Sequence, residues 1–288
     1  MLAKVGPLAL VLHTATGGVG AAIVAITLLA VTAGPWLSAH DPGGFDMAGA
    51  FQPPSARHWL GTDQMGRDLL VRIMAGGRLS LVVGLGTVLL GVGAGVPLGL
   101  LAGTVGGKLD ALVMRSIDVL LAVPALIVAL AVIAVIGPGA LNITLAIGLR
   151  SIPIYARVVR AEAMGLMTRD FVQGARALGA GPGRIVCRHL VPNLAGSVVA
   201  ISGLRMATGI LTAASLTFLG LGVPAGEAEW GAMINDAKQY IRVHPHLVTY
   251  PGAAIMLSVL GFNLVGDALQ DAINPRIRAR IRSTGAGG

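Results

Sequence analysis

The chain has 288 residues, of which 55% are hydrophobic and only 12% are charged, and its mean hydropathy is +0.79. Soluble domains carry about 25% charged residues, so this composition excludes a water-soluble globular protein and predicts one embedded in a lipid bilayer. The net charge of +8 is concentrated beside apolar runs, and aromatic residues are few, which argues against nucleic-acid binding. A single cysteine excludes an intramolecular disulfide framework.

Six apolar runs predict an all-α membrane protein with six transmembrane helices, since about 20 apolar residues cross the hydrocarbon core. In chain order the runs are Val19–Leu37, Leu79–Gly107, Ala111–Ile136, Ala140–Tyr155, Leu194–Leu219 and Leu247–Gly266. Glycines recur along the second run, where they would let helices pack closely in lipid. A Gly-Gly-Lys sequence ends that run, but Ala102 and Leu109 stand where a phosphate-binding loop needs Gly and Ser or Thr. Any ATP must therefore be bound by another polypeptide.

A polar segment separates the first two runs and contains the sequence GTDQMGRD at residues 61–68. On its own, this sequence predicts a tight turn whose charges pair with one another. Asp63 and Asp68 do not suggest a hydrolase, because no third group is placed to support them.

The most polar part of the chain is an arginine-rich stretch, residues 155–193. Apolar residues recur in it at helical spacing, at Met167, Phe171, Ala175 and Leu178. They predict a short helix with one apolar stripe, which either docks into a partner's groove or lies in an ordinary charged loop.

The ends of this short helix have their own signals. Thr168 is a candidate N-cap, and Asp170 suits the positive end of the helix dipole. Gly179 and Gly181 favour a left-handed stop, and Pro182 can open the next helix. The stretch therefore predicts two short helices joined by a glycine elbow.

Arg150 and Arg205 fall inside predicted spans, whereas Arg115 lies near the beginning of one. An arginine in a span costs at least about 2.5 kcal/mol on insertion scales, so each should face protein or water. One interpretation is that they line a polar translocation path and meet a carboxylate of the substrate. The alternative is a structural bond to backbone carbonyls, or a snorkelling side chain at a lipid boundary.

The arginine-rich stretch resembles the EAA loop of ABC importer permeases. Gln173-Gly174-Ala175, then Gly179, then His189-Leu190-Val191-Pro192 keep the spacing of that motif, although Gln173, Gly174, His189 and Val191 depart from its residues. In that family the loop docks on a separate ATPase subunit. The resemblance implies the following coupling residues: Asp170, Phe171, Gln173, Gly174, Ala175, Leu178, Gly179 and Pro192.

Four further sequence segments are similar to one branch of that family, the C-type subunit of dipeptide, oligopeptide and nickel importers. They are GTDQMGRD at 61–68, SLTFLGLGV at 215–223, EWG at 229–231 and NLVGDALQDAINP at 263–275. The resemblance implies the type I ABC importer permease fold, with cytoplasmic coupling helices. It divides the chain into an N-terminal tail, first helix and extracytoplasmic segment (1–78), a five-helix core with the EAA-like loop at about 157–193 (79–270), and a basic cytoplasmic tail (271–288).

The function implied is one half of the translocation path of an ATP-driven peptide importer, with nickel chelate or glutathione as alternative cargo. The implied partners are a homologous B-type permease, two P-loop ATPase subunits or one two-domain ATPase, an extracytoplasmic substrate-binding protein and the bilayer. No catalytic residue, metal or cofactor is expected on this chain, with ATP and Mg on the ATPase partners.

The distribution of Lys and Arg predicts the orientation. The larger share lies on one side, which holds the termini, Lys108 and the arginine-rich stretch, so both termini are expected to be cytoplasmic in a prokaryotic plasma membrane. A secondary transporter remains a different-class alternative. It would need an intramembrane carboxylate or a broken-helix ion site, and the one acid within a predicted span is Asp118. A membrane-embedded enzyme would need converging catalytic residues, and none is evident.

Overall fold

The computed structural model describes residues 14–38, 40–224 and 226–273, and regular structure in these ranges is helical apart from one β-bridge between Thr62 and Asp68. The helices are α1 (Ala15–Leu37), α2 (Leu69–Leu90), α3 (Val96–Val105), α4 (Gly107–Ala122), α5 (Ala125–Ile136), α6 (Ala140–Met167), α7 (Asp170–Ala177), α8 (Pro182–Ile185), α9 (Val191–Phe218), α10 (Trp230–Ala237) and α11 (His246–Ile273). The basic C-terminal tail and Lys4 lie outside the described residues.

Four helical stretches are long and apolar enough to cross a membrane. They are Ala15–Leu37, Leu69–Val105, Pro182–Phe218 and His246–Ala272. The pair α4 and α5 would add a fifth span if it is counted as one broken crossing. Helix α6 has 28 residues, but its polar and charged side chains, Arg150 among them, leave it outside this apolar group. The all-helical fold prediction is confirmed, whereas apolarity alone accounts for four or five of the six predicted spans.

The predicted third span, Ala111–Ile136, is wrong as one straight helix. It consists of α4 and α5, which meet at an angle of 86° across Val123 and Pro124. Proline disfavours the helical conformation of the residue before it, which explains the break. The guanidinium of Arg150 donates to the carbonyl of Leu120 over 2.8 Å, so it satisfies one of the carbonyls that a helix end leaves unpaired.

Two long helices each contain one wider turn. A π turn at Gly91–Gly95 joins α2 to α3, and another at Val186–Leu190 joins α8 to α9. Pro97 and Pro192 follow these turns, each two residues after the turn ends. Proline has no N–H for the regular helical hydrogen bond, so the preceding turn widens while the helix continues.

Helices α3 and α6 pack closely because glycines line their contact. Gly95, Gly99 and Gly103 each lie against the α6 backbone, and a methyl group at Gly103 would be 2.8 Å from the carbonyl oxygen of Arg160. This spacing of four residues is the close-packing pattern expected in lipid. Gly93 is an exception, since no residue of the described ranges lies within 4 Å of its would-be Cβ.

The connections gather at two ends of the bundle. At the motif end, which comprises residues 40–68 and 220–246, Phe51 stacks on His244 with ring centroids 4.5 Å apart. At the loop end, which comprises residues 104–110 and 167–190, Arg160 pairs with Asp110 and Arg157 pairs with Asp118. These two ion pairs bind α4 to α6 and use two of the arginines in the arginine-rich stretch.

Candidate functional site

The short helix α7 has the position and form that the sequence predicts for it. It begins at Asp170 and ends at Ala177, with Asp170 in its first turn and Arg176 in its last. The predicted cap at Thr168 is wrong, because Arg169 holds the N-cap position and the Thr168 hydroxyl donates to the Gly165 carbonyl.

The end of α7 is a Schellman motif centred on Gly179. Gly179 has φ +84°, its N–H donates to Arg176 O over 2.9 Å, and the Ala180 N–H donates to Ala175 O over 3.0 Å. Gly181, with φ −69°, is not left-handed, so only one of the two predicted stops is used. Pro182 opens α8 as predicted.

One face of α7 anchors the helix to the bundle. Val172 is completely buried against Val159, Ala163 and Leu194, within an apolar cluster that also includes parts of α8 and its π turn. The Gln173 side-chain amide donates to the Met167 carbonyl over 2.8 Å and so ties α7 to the end of α6.

The opposite face of α7 is open. Phe171 is 45% exposed and Leu178 is 91% exposed, and none of the described residues comes within 4 Å of a would-be Cβ on Gly174. Pro192, Arg169, Arg176, Arg184 and Arg188 are also exposed nearby. The predicted apolar stripe is therefore divided: Phe171 and Leu178 are exposed, Ala175 is half-buried, and Met167 packs against the buried cluster that contains Val172.

Arg150 and Arg205 line one cavity of about 200 Å³ between α2, α5, α6 and α9. Threonines also line it, at Thr87, Thr208 and Thr212. The two arginines differ in their contacts, because Arg150 bonds the Leu120 carbonyl whereas the buried Nε of Arg205 has no hydrogen-bond partner among the described residues.

The motif end holds an ionic cluster that we call the arginine clamp, formed by Asp63, Arg67, Arg72 and the carbonyl of Gly226. Arg67 Nε donates to Asp63 Oδ2 over 2.6 Å, and Arg72 Nε lies 3.4 Å from the same oxygen. Both guanidinium groups also donate to Gly226 O over 3.3 Å. All three side chains are buried, so the motif at 61–68 is a structural joint between distant segments, and its predicted internal pairing is confirmed.

Neighbouring groups extend this joint. Asp68 caps α2 by accepting from the Val71 N–H over 2.9 Å. Asp236 lies beside the clamp, and burial raises the pKa of its carboxyl, although the charges of Arg67 and Arg72 oppose the rise. Glu229 accepts from Ser80 over 2.8 Å, and Trp230 is buried beside it, so the sequence EWG also has a structural role.

Comparison with known proteins identifies the family. Residues 95–279 match the model of the binding-protein-dependent transport system inner membrane component. The glutathione transport system permease protein GsiD of Pectobacterium atrosepticum is 43% identical over 235 residues, which is 82% of this chain and 78% of the relative. The dipeptide transport system permease protein DppC of Alkalihalophilus pseudofirmus is 40% identical over 261 residues, which is 91% of this chain and 86% of the relative.

Solved structures agree with this assignment at the level of the fold. The inward-facing MetNI methionine ABC transporter has a chain with a TM-score of 0.57 and 18% identity, over 70% of this chain and 96% of that one. An amino acid ABC transporter crystallised with histidines gives a TM-score of 0.54 and 16% identity, over 68% and 91% of the two chains. This chain therefore belongs to the family of inner membrane components of binding-protein-dependent transport systems, which are multi-pass permeases rather than catalytic subunits.

Proposed function

We propose that this chain is the C-type membrane subunit of an ATP-driven importer of short peptides. The observation that carries the proposal is the similarity, over more than four fifths of the chain, to permeases named for dipeptide and for glutathione transport. Glutathione is itself a short peptide, so both names point to the same chemical class of cargo. A nickel chelate is kept as an alternative cargo.

The coupling site in this proposal is the open face of α7 with its flanking residues. Phe171 and Leu178 are apolar and exposed, four exposed arginines lie between residues 169 and 188, and the Schellman motif at Gly179 fixes the end of the helix. An apolar helix face rimmed by polar groups suits a groove on a partner protein. The partners we propose are two P-loop ATPase subunits or one two-domain ATPase, which would hold the ATP and Mg, together with a B-type permease and a substrate-binding protein.

The translocation path in this proposal passes the cavity that Arg150 and Arg205 line. Arg205 is the stronger candidate for meeting a peptide carboxylate, since its buried Nε has no described partner. Arg150 instead closes the end of α4 through the Leu120 carbonyl, which favours the structural interpretation of that residue. The acid required by the secondary-transporter alternative, Asp118, is paired with Arg157. At the break between α4 and α5, the other feature that this alternative could use, the guanidinium of Arg150 already binds the Leu120 carbonyl, which argues against an ion site there.

The orientation we propose places the loop end, and with it both termini, in the cytoplasm. The exposed arginines at 169, 176, 184 and 188 support it, since basic residues accumulate on that side of membrane proteins. The division of the chain at residues 78 and 270 stays a prediction, and both positions lie within helices.

Co-purification from the native membrane tests the coupling site. We expect a P-loop ATPase and a second permease to accompany the wild-type chain, and the ATPase to be lost from Gly179→Val, because a β-branched residue does not fit the left-handed position. Gly183→Val is the matched control, since Gly183 is exposed, has no positive φ and has no neighbour within 4 Å in the part of the chain that the structure describes. Equal ATPase recovery from both variants, or a wild-type chain without ATPase, would contradict the proposal.

Uptake into proteoliposomes that contain the complete complex tests the cargo. We expect ATP-dependent accumulation of a labelled dipeptide, with glutathione and a nickel chelate run in parallel. Arg205→Gln should reduce dipeptide uptake strongly while ATPase recovery stays normal, whereas Thr104→Ser, away from the cavity, is the control. Uptake of the chelate alone would overturn the peptide assignment and leave the importer assignment standing.

A further inference from the structure

Two imidazoles and one carboxylate converge at the motif end, away from both α7 and the arginine-lined cavity. A ligand atom from each of His40, His58 and Asp68 lies within 4.8 Å of the other two. The three residues come from separate segments: His40 follows α1, His58 belongs to the loop before the motif at 61–68, and Asp68 is the N-cap of α2. The convergence is therefore a product of the fold and not of local sequence spacing.

Two contacts orient the Asp68 carboxylate beside the two imidazole rings. One oxygen of Asp68 accepts from the Val71 N–H, and the other lies 2.9 Å from Nδ1 of His58. The rings of His40 and His58 are 4.7 Å apart between centroids. The side chains of His58 and Asp68 are only 12% and 4% exposed, so competition from bulk water is reduced.

A cavity of about 450 Å³ opens beside the cluster. His40 and Asp68 line it together with Trp59 and Met74. Arg57 is the one arginine or lysine among the lining residues. Such a cavity leaves room for a water molecule or an external ligand to complete a coordination shell. Two imidazoles, one carboxylate and an open position form a donor set that zinc and neighbouring divalent transition metals prefer.

We propose that His40, His58 and Asp68 bind a divalent transition-metal ion, with zinc as the best fit to the donor set. The ion links the end of α1 to the beginning of α2. It therefore closes the polar segment between the two helices into a metal-held loop. The site is distinct from the transport path and does not depend on the cargo assignment.

Metal binding to the full-length, tag-free chain in lipid nanodiscs tests the site. After chelation, titration with zinc chloride should give one tight equivalent per chain by calorimetry. His40→Gln and His58→Gln should each weaken it by at least about tenfold, the scale on which even outer-shell partners of metal sites act. The control is His244→Gln, which removes an imidazole from the same end of the bundle and should leave the affinity unchanged.

Absorption of the cobalt-substituted wild-type chain provides a second readout that needs no variant. A tetrahedral site with nitrogen and oxygen ligands should produce visible ligand-field bands that zinc then abolishes. The proposal is overturned if the wild type takes up no zinc and gives no such bands, if both cluster variants bind as the wild type does, or if His244→Gln alone removes binding.

Discussion

At the motif end of the bundle, a methyl group on Gly66 would lie 1.7 Å from the carbonyl oxygen of Asp46, whereas at the loop end Gly174, Gly179 and Gly183 have no neighbour among the described residues within 4 Å of a would-be Cβ. The charged side chains also differ between the two ends. Asp63, Arg67 and Arg72 are buried and paired, while four arginines around α7 are exposed. The chain packs tightly around Gly66, whereas the face of α7 that carries Phe171 and Leu178 stays exposed among the described residues.

The largest effect is expected from removing the acid of the arginine clamp. Asp63→Ala leaves two buried guanidinium groups without their carboxylate, and the loss of one partner from a buried ion pair costs about 3–5 kcal/mol. Thermal unfolding in nanodiscs should record this loss. Glu227→Ala is the control at the same end, because Glu227 is exposed and its removal should change stability by less than about 0.5 kcal/mol.

A glycine pair sharpens the comparison next. Gly66→Ala should destabilise the fold, since φ is +72° and the backbone of Asp46 fills the space, with a cost of at least about 1–3 kcal/mol. Gly174→Ala should be neutral or stabilising by up to about 1 kcal/mol, because Gly174 lies within α7 and faces open space. Equal destabilisation of the two variants in unfolding experiments would erase the distinction between the ends.

A smaller loss of stability is expected from shortening Val172, the buried side chain that anchors α7. Val172→Ala removes buried methyl groups and should cost about 1–2 kcal/mol. Leu178→Ser should leave the stability unchanged, because the side chain is 91% exposed, yet reduce recovery of the ATPase. Measuring unfolding and co-purification on both variants separates the buried face from the open one, and a stability loss in Leu178→Ser would refute that separation.

The smallest expected effect is the pH dependence that Asp236 gives to the unfolding free energy. Because the pKa of Asp236 is raised in the folded chain, its carboxylate opposes folding once it is ionised. The contribution of Asp236 to the unfolding free energy should be most favourable below the ordinary pKa of 3.8 and should decline as the pH rises through the raised pKa. Asp236→Asn should remove that decline. The unfolding free energy of the variant minus that of the wild type should therefore increase as the pH rises from 3.8 through the raised pKa. A pH-independent difference would contradict it.

The sequence predicts the local features well where one residue type determines the conformation. Asp170, Gly179 and Pro182 set the bounds of α7 and α8 by their own backbone and charge preferences, and the structure agrees. Gly181 was expected to serve as a second stop, but one left-handed residue already reverses the chain.

Features that depend on distant partners could not be predicted in this way. Gly226 joins the arginine clamp from more than 150 positions away, and no pattern near residue 67 indicates it. The break between α4 and α5 was missed because the apolar composition continues across it. Pro124 was the available signal, and the Leu120 carbonyl then explains why Arg150 is tolerated within the bundle.

The position of Cys187 has a practical consequence. It is the chain's single cysteine, and it lies exposed on the π turn between α8 and α9, at the loop end of the bundle. The chain thus carries a native attachment point for a thiol-reactive dye, with no need to remove other cysteines first. A fluorophore placed there would report binding of the proposed ATPase partner to the loop end.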